Sequence, residues 1–262
     1  MCDRLQKQME ENREVYNVPV VDFGNLFLFP AEVLVLERFR GQWPDFSVLD
    51  LGVGAGRTAW VFSQNAKSYD AIDYAEIRIQ HCRELFPQSE HRRFHHGDAR
   101  DLSEYEDGSL DFVLFSYNGI DYIDEKGRDA AFSEVKRVLR PGGWFFFSTH
   151  SLDSFPFQPP FPRRLSGIFK PLGILYRLLI AWKMKWLNRH VNVDEVKERG
   201  WACLVDYADQ VTTHYIDPRL QRKRLEEQDF EVDTVWDMRG RENDFTPQPD
   251  EWMLHFLVRK KS

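Results

Sequence analysis

The chain has 262 residues, of which 42% are hydrophobic and 29% charged, the composition of a globular domain long enough to bury a sizeable core rather than of a disordered or fibrous chain. A formal net charge of −7 weighs against a dedicated nucleic-acid binder, which would present a basic face. Three widely spaced cysteines, Cys2, Cys82 and Cys203, form no C-x-x-C pair and suggest neither a disulfide framework nor a zinc site. With no basic segment leading into an apolar run at the start, and no apolar stretch near the ~20 residues of a membrane span, the expected location is the cytoplasm.

In chain order, residues 3–14 are polar and predict a surface helix, and Pro30 opens a second helix over 31–39, since proline is tolerated in a first helical turn. Strand-like segments at 48–51, 69–73, 92–96, 110–115 and 144–149 predict five strands. Between them lie predicted helices at 57–65, 75–85 and 126–139, the last with Phe132, Val135, Val138 and Leu139 at helical spacing. Strands alternating with helices imply right-handed crossovers, a parallel sheet, and ligands at the carboxyl ends of the strands. After His150 the rhythm breaks. It resumes with strands over 203–207 and 211–216, a helix over 218–228, and a closing pair of strands over 230–236 and 252–258. The organisation is a single domain: an N-terminal cap over 1–44, a core over 45–150, an inserted lid or substrate segment over 151–202, and the rest of the sheet over 203–262.

The most informative stretch joins the first strand to the glycines Gly52, Gly54 and Gly56. Glycines let a ligand approach the backbone without meeting a Cβ, and the following helix offers unpaired N–H groups. A dinucleotide loop wants a small residue where Arg57 stands. Asp50, just ahead of the loop, would repel a pyrophosphate and attract an ammonium group, which points to a cofactor bearing an amino acid. Asp73 ends the second strand, about 20 residues on, where a carboxylate can accept ribose hydroxyls. His95 and His96 with Asp98 raise the question of a metal, but adjacent strand residues face opposite ways, so no metal is expected.

With Gly97-Asp98-Ala99 after the third strand, Ser116-Tyr117-Asn118 after the fourth and Leu139-Arg140-Pro141-Gly142-Gly143 before the fifth, the chain resembles the class I S-adenosylmethionine-dependent methyltransferases. The resemblance is close over 45–150 and loose over 205–260. It implies a Rossmann-like, doubly wound α/β sheet of seven strands, mostly parallel with an antiparallel last strand, and S-adenosyl-L-methionine as cofactor. It further implies that Gly52, Gly54 and Gly56 approach the cofactor through backbone, with Asp50 toward the ammonium, Asp73 on the ribose and Tyr74 against the adenine face. Asp98 and the Ala99 N–H would address the adenine edge, and Ser116 would contribute its carbonyl. Tyr117, Asn118, Asp121 and Tyr122 would line the acceptor pocket, and His150 and His214 are candidate bases because imidazole titrates near neutral pH.

These readings lead to methyl transfer onto an oxygen or nitrogen of a small-molecule acceptor. A methyltransferase-like protein that binds without turnover, and a methyltransferase acting on a membrane-associated, lipid-like acceptor, are the alternatives. Nucleic acid is not an expected partner, because members of the family that methylate base amino groups often carry Asn/Asp-Pro-Pro-Tyr after the fourth strand, and Ser116-Tyr117-Asn118-Gly119 stands here. The insert over 151–192 carries seven basic residues against Asp153 alone, which leaves −13 for the remainder of the chain. Its central stretch, 172–187, places Leu175, Leu178, Leu179, Trp182 and Trp186 on one helical face. That face is expected to pack over the acceptor pocket as a water-excluding lid, with contact to an anionic membrane surface as the competing role.

Overall fold

The computed structural model describes residues 27–154, 179, 182–183, 185–189, 191–205, 211–247 and 251–262. The helix expected over 3–14, Cys2, the proline-rich run over 155–162, and Leu175 and Leu178 lie outside the described residues.

Helix α1 (Pro30–Arg38) precedes strand β1 (Ser47–Leu51), which leads through the glycine loop into α2 (Ala59–Asn65). Strand β2 (Ser68–Asp73), α3 (Glu76–Leu85), β3 (Arg92–His96) and β4 (Leu110–Phe115) follow. A 3-10 turn (Gly119–Tyr122) connects to α4 (Glu125–Val138) and the long β5 (Leu139–Ser151). After the insert come α5 (Val193–Arg199), β6 (Trp201–Val205), β7 (Thr212–Ile216), α6 (Pro218–Glu227), β8 (Phe230–Trp236) and β9 (Met253–Lys260). Local chemistry sets several of these bounds. Asp124 caps α4 by accepting from Gly127 N at 2.9 Å, Asp217 caps α6 ahead of Pro218, and Gly200, at φ 75°, stops α5.

Strands β3, β2, β1, β4 and β5 pair in that order and in parallel. β9 lies antiparallel between β5 and β8. The expected seven-stranded sheet is therefore β3-β2-β1-β4-β5-β9-β8. Two further strands join it. β5 outruns β4, whose pairing stops at Phe115–Phe147, and its last residues His150 and Ser151 pair with β7, which forms an antiparallel hairpin with β6. The strand expected at 144–149 starts earlier, through Pro141 and a left-handed Gly142, with a register shift opposite Leu110–Phe112. The helix expected from Arg57 begins at Ala59 because the glycine loop takes two more residues to turn.

Period-two alternation divides the core between the two faces of the sheet. Leu49, Leu51, Val113, Phe145 and Phe147 pack against Ala131, Phe132 and Val135 of α4. Val48, Phe112, Leu114 and Phe146 pack against Val35 of α1, Phe62 of α2 and Ile79 of α3. Asp50 shares the face of Val48, and so is sent into the second of these layers. Among the described residues no helix is long and apolar enough to cross a membrane.

Gly56 has φ 82°, and a Cβ there would stand 2.6 Å from Phe86 Cε2. Gly56→Ala should therefore destabilise the fold by roughly 1–3 kcal/mol in urea unfolding. Gly41→Ala, where a Cβ meets nothing within 4 Å, should shift stability by no more than about 0.5 kcal/mol.

Candidate functional site

The carboxyl ends of β1, β2 and β3 form one rim. Beyond Leu51 the chain turns through left-handed Gly52 and Gly54, which aims the Gly54 N–H at Asp73 Oδ2, 2.9 Å away. Ala75 N donates to the other oxygen, Oδ1, at 2.9 Å. Burial pushes the Asp73 carboxyl up and these two N–H groups oppose it. Each oxygen retains acceptor capacity, so the fixed carboxylate can take a pair of hydroxyls. A Cβ built on Gly54 would find only Gly52 O, at 3.9 Å, so the backbone there faces open space. Gly97 N bonds to Asp73 O at 3.1 Å and sets the next loop alongside. In that loop Asp98 receives Arg100 N at 3.0 Å and its guanidinium Nε at 2.9 Å, Ala99 is buried, and the half-buried Tyr74 meets His96 Nε2 through its carbonyl oxygen at 3.0 Å.

Asp50 is corrected by the structure. Its Oδ2 accepts from both Thr58 Oγ1 and Tyr69 Oη at 2.5 Å, inside the layer beneath α1 to α3. Burial raises its pKa to about 6. An acid so enclosed organises the loop from below rather than facing an ammonium group.

A second cluster escaped the sequence reading. Glu32 of α1 is fully buried and meets Arg57 through Nη1 at 2.5 Å and Nη2 at 2.7 Å, while also accepting from Ser116 Oγ and Phe29 N. Arg57 lies over the Phe29 ring at 4.9 Å, and Phe29 stacks on Tyr117 at 5.3 Å. This arrangement clamps α1 across the ends of β1 and β4. It engages the Ser116 hydroxyl in the clamp and leaves the Tyr117 ring exposed against Phe29. Glu32 is one of two acids in this helix, the other being the exposed Glu37, and its burial is evident only once Arg57 is known to face it. Below the clamp, His255 of β9 stacks on Phe146 at 5.9 Å with neither ring nitrogen bonded, and burial lowers its pKa to about 4.

The third cluster lies where β5 outruns β4. Asp121, in the 3-10 turn, is wholly buried and accepts from Arg128 Nη1 at 2.6 Å, Thr149 Oγ1 at 2.6 Å, His150 N at 2.7 Å and His150 Nδ1 at 2.8 Å. Burial alone would raise its pKa, but the His150 bond and the Arg128 charge reverse this and lower it. With Asp121 an ionised acceptor, His150 Nδ1 is the nitrogen that donates to it, and Nε2 is turned away from the carboxylate. That nitrogen stands 3.4 Å from Asn118 Nδ2, in a ring environment made by Tyr215 and Trp252. Asn118 Oδ1 is buried without a partner. Tyr117 and Asn118 both adopt left-handed backbone, at φ 57° and 61°, a cost non-glycine residues incur mainly at functional turns. The half-buried Tyr122 closes the turn.

Two expectations change here. Asp121, expected to line the acceptor pocket, instead sits behind His150 and orients it. His214, expected as a second base, is fully buried and its Nε2 is occupied by Glu125 at 2.7 Å, with Trp201 stacked on the ring. Burial lowers its pKa to about 4, so it is a neutral core histidine at physiological pH. In the insert, the described Leu179, Trp182 and Trp186 are 52–67% exposed rather than packed down over a pocket.

A family model described as a methyltransferase domain matches residues 48–143. A probable S-adenosylmethionine-dependent methyltransferase of Mycolicibacterium smegmatis is 29% identical over 147 residues, covering 54% of each chain. The chain thus spans about half the length of that relative. A putative S-adenosylmethionine-dependent methyltransferase from Listeria monocytogenes superposes with a TM-score of 0.60 at 18% identity, covering 88% of this chain and 99% of its own. The 1,6-didemethyltoxoflavin-N1-methyltransferase of Burkholderia thailandensis, solved with its acceptor and S-adenosylhomocysteine, gives 0.58 at 14% identity and covers 99% and 87%. At these identities the structural likenesses speak to the fold.

The unbonded His255 ring provides a test of the clamp region. Because the fold holds its pKa near 4, below the ordinary 6.5, the unfolded chain binds the proton more readily, and the native state loses stability as pH falls from 6.5 toward 4. His255→Phe keeps the stack on Phe146 and removes the titration. Its stability relative to the parent should rise by roughly 2–3 kcal/mol between pH 7 and pH 4 in parallel denaturant titrations. A constant difference across that range would mean the ring is solvated.

Proposed function

We propose that the chain is a class I S-adenosylmethionine-dependent methyltransferase that methylates a hydroxyl oxygen of a small-molecule acceptor, with His150 as general base. The observation that carries the choice of oxygen is the Asp121–His150 pair at the end of β5, in which Nδ1 meets the carboxylate at 2.8 Å and Nε2 is turned toward Asn118.

The residues fit the cofactor. Asp73, already fixed by two N–H groups, suits the ribose hydroxyls, and the open backbone at Gly54 suits an approach that no side chain could share. Tyr74, Asp98 and Ala99 follow the ends of β2 and β3, where the adenine would lie; Arg100 engages both oxygens of the Asp98 carboxylate and so fixes the loop that the base edge would meet. When bound, S-adenosylmethionine supplies a methyl group on a positively charged sulfur, and the transfer requires an aligned nucleophile rather than a covalent enzyme intermediate.

The acceptor side is the work of side chains. Asn118 Oδ1, buried and unpaired, can accept a hydrogen bond from the acceptor and so fix its orientation. His150 takes the hydroxyl proton at Nε2 as the oxygen becomes nucleophilic, and the Asp121 carboxylate stabilises the imidazolium that forms. Arg128, donating to Asp121, Ile120 O and Gln221, keeps that carboxylate ionised and in place. Tyr117 and Tyr122 flank this turn, within reach of an acceptor held there.

Incubation with a methyl-labelled donor and a metabolite extract should give a labelled product in which the methyl is carried on oxygen. His150→Ala should lower its turnover roughly a hundredfold while leaving affinity for S-adenosylhomocysteine within about twofold. A product methylated on nitrogen, with turnover unaffected by His150→Ala, would discard the base. Absence of any labelled product despite tight cofactor binding would make the protein a binder. Separately, Asp73→Ala should weaken S-adenosylhomocysteine binding roughly ten- to a hundredfold by calorimetry, the loss expected for charge-assisted hydrogen bonds.

A further inference from the structure

The insert ends in a feature unconnected with methyl transfer. Leu179, Trp182 and Trp186 lie in helical backbone at spacings of three and four residues, which places them on one side of a helix. They are 56%, 67% and 52% exposed. Large apolar side chains left in water on one side of an element mark a surface that another body covers. Lys183, Lys185 and Arg189 are interleaved with them and lie at the surface, and the Arg189 guanidinium lies over the Trp186 ring at 4.6 Å. No acid occurs between Asp153 and Asp194.

We propose that this segment docks the protein on an anionic lipid surface. Tryptophan is the side chain suited to the boundary between headgroups and acyl chains, and lysine and arginine stems can lie along apolar surface while their charges reach the phosphates. The charge distribution favours this occupant over a second copy of the chain. A symmetric self-contact would bring Lys183, Lys185 and Arg189 against their own equivalents, whereas an anionic bilayer complements all three. Outside residues 151–192 the chain carries a net −13, which the same bilayer repels, so attachment is oriented with the basic face down.

The segment is joined to the body through Asn188. Asn188 pairs with the backbone of Val205 at the edge of β6, its Oδ1 accepting from Val205 N at 2.8 Å and its Nδ2 donating to Val205 O at 3.2 Å. β6 pairs with β7, and β7 with His150 and Ser151. Docking would therefore set the end of β5 close to the lipid surface, irrespective of which reaction occurs there.

Co-sedimentation with vesicles tests the proposal without any methyl acceptor. The full chain should pellet with phosphatidylcholine vesicles containing phosphatidylserine, stay in solution with phosphatidylcholine alone, and be released by added salt. Trp182→Ala/Trp186→Ala should weaken vesicle binding roughly tenfold or more, and so should Lys183→Glu/Lys185→Glu. Because all four side chains are exposed, both variants should keep the parental thermal midpoint, which separates lost docking from lost folding. A parent protein that ignores both vesicle types, or variants that pellet as the parent does, would overturn the proposal. So would concentration-dependent dimerisation abolished by Trp182→Ala/Trp186→Ala, which would assign the surface to a second copy of the chain.

Discussion

Asp121 imposes the constraint around which the acceptor end is built. A carboxylate withdrawn completely from water is tolerable only if its charge is matched and its lone pairs are filled, and four donors do this. They come from α4 and from two successive residues of β5, so one buried charge joins the 3-10 turn, a helix and the central strand. Such a cluster adds little net stability compared with apolar packing, but it leaves few alternative arrangements. His150 is held by two of the four bonds, which makes its ring orientation a consequence of the folded core rather than of a mobile loop.

The two halves of the site are made differently. The half proposed for the cofactor uses backbone: glycine turns, N–H groups and strand ends, with Asp73 immobilised by the loops it joins. The acceptor half uses buried polar side chains and two left-handed residues, Tyr117 and Asn118, held by Ser148 Oγ on Asn118 N and by Phe29 on the Tyr117 ring. The Glu32–Arg57 pair sits between them and locks α1 over both. A substitution in α1 can thus disturb the Asp73 loops and the Tyr117–Asn118 turn together, although no residue of that helix belongs to the sheet.

Much of the fold was legible because its signals are local. Alternating apolar residues, glycines and prolines placed β1 to β4 and the helices between them within one or two residues. Asp73 could be singled out because its place depends on spacing from the glycines alone. Asp50 could not be assigned its surroundings, because its direction depends on which face of β1 packs on α1 to α3. Similarly, His150 and His214 look alike in sequence. Only the pairing of β7 with the end of β5, and the encounter of His214 with Glu125 from α4, separates an oriented base from a core residue. The hairpin of β6 and β7 was expected as strands, yet its attachment to β5 beyond β4 arises from the unequal lengths of two strands, which no periodicity records.

The position of β9 also bears on how the chain is made. β5 carries Trp144, Phe145, Phe146 and Phe147, and the strand that closes its outer edge is the last of the nine. During synthesis β1 to β5 can assemble in order, but β5 then waits with unpaired amides and a row of aromatic rings while the insert, the hairpin, α6 and β8 emerge. An uncovered aromatic strand edge is a template for pairing with other nascent chains. Ribosome-bound chains stalled before Met253 should accordingly engage chaperones heavily, and the burden should disappear once β9 slides between β5 and β8.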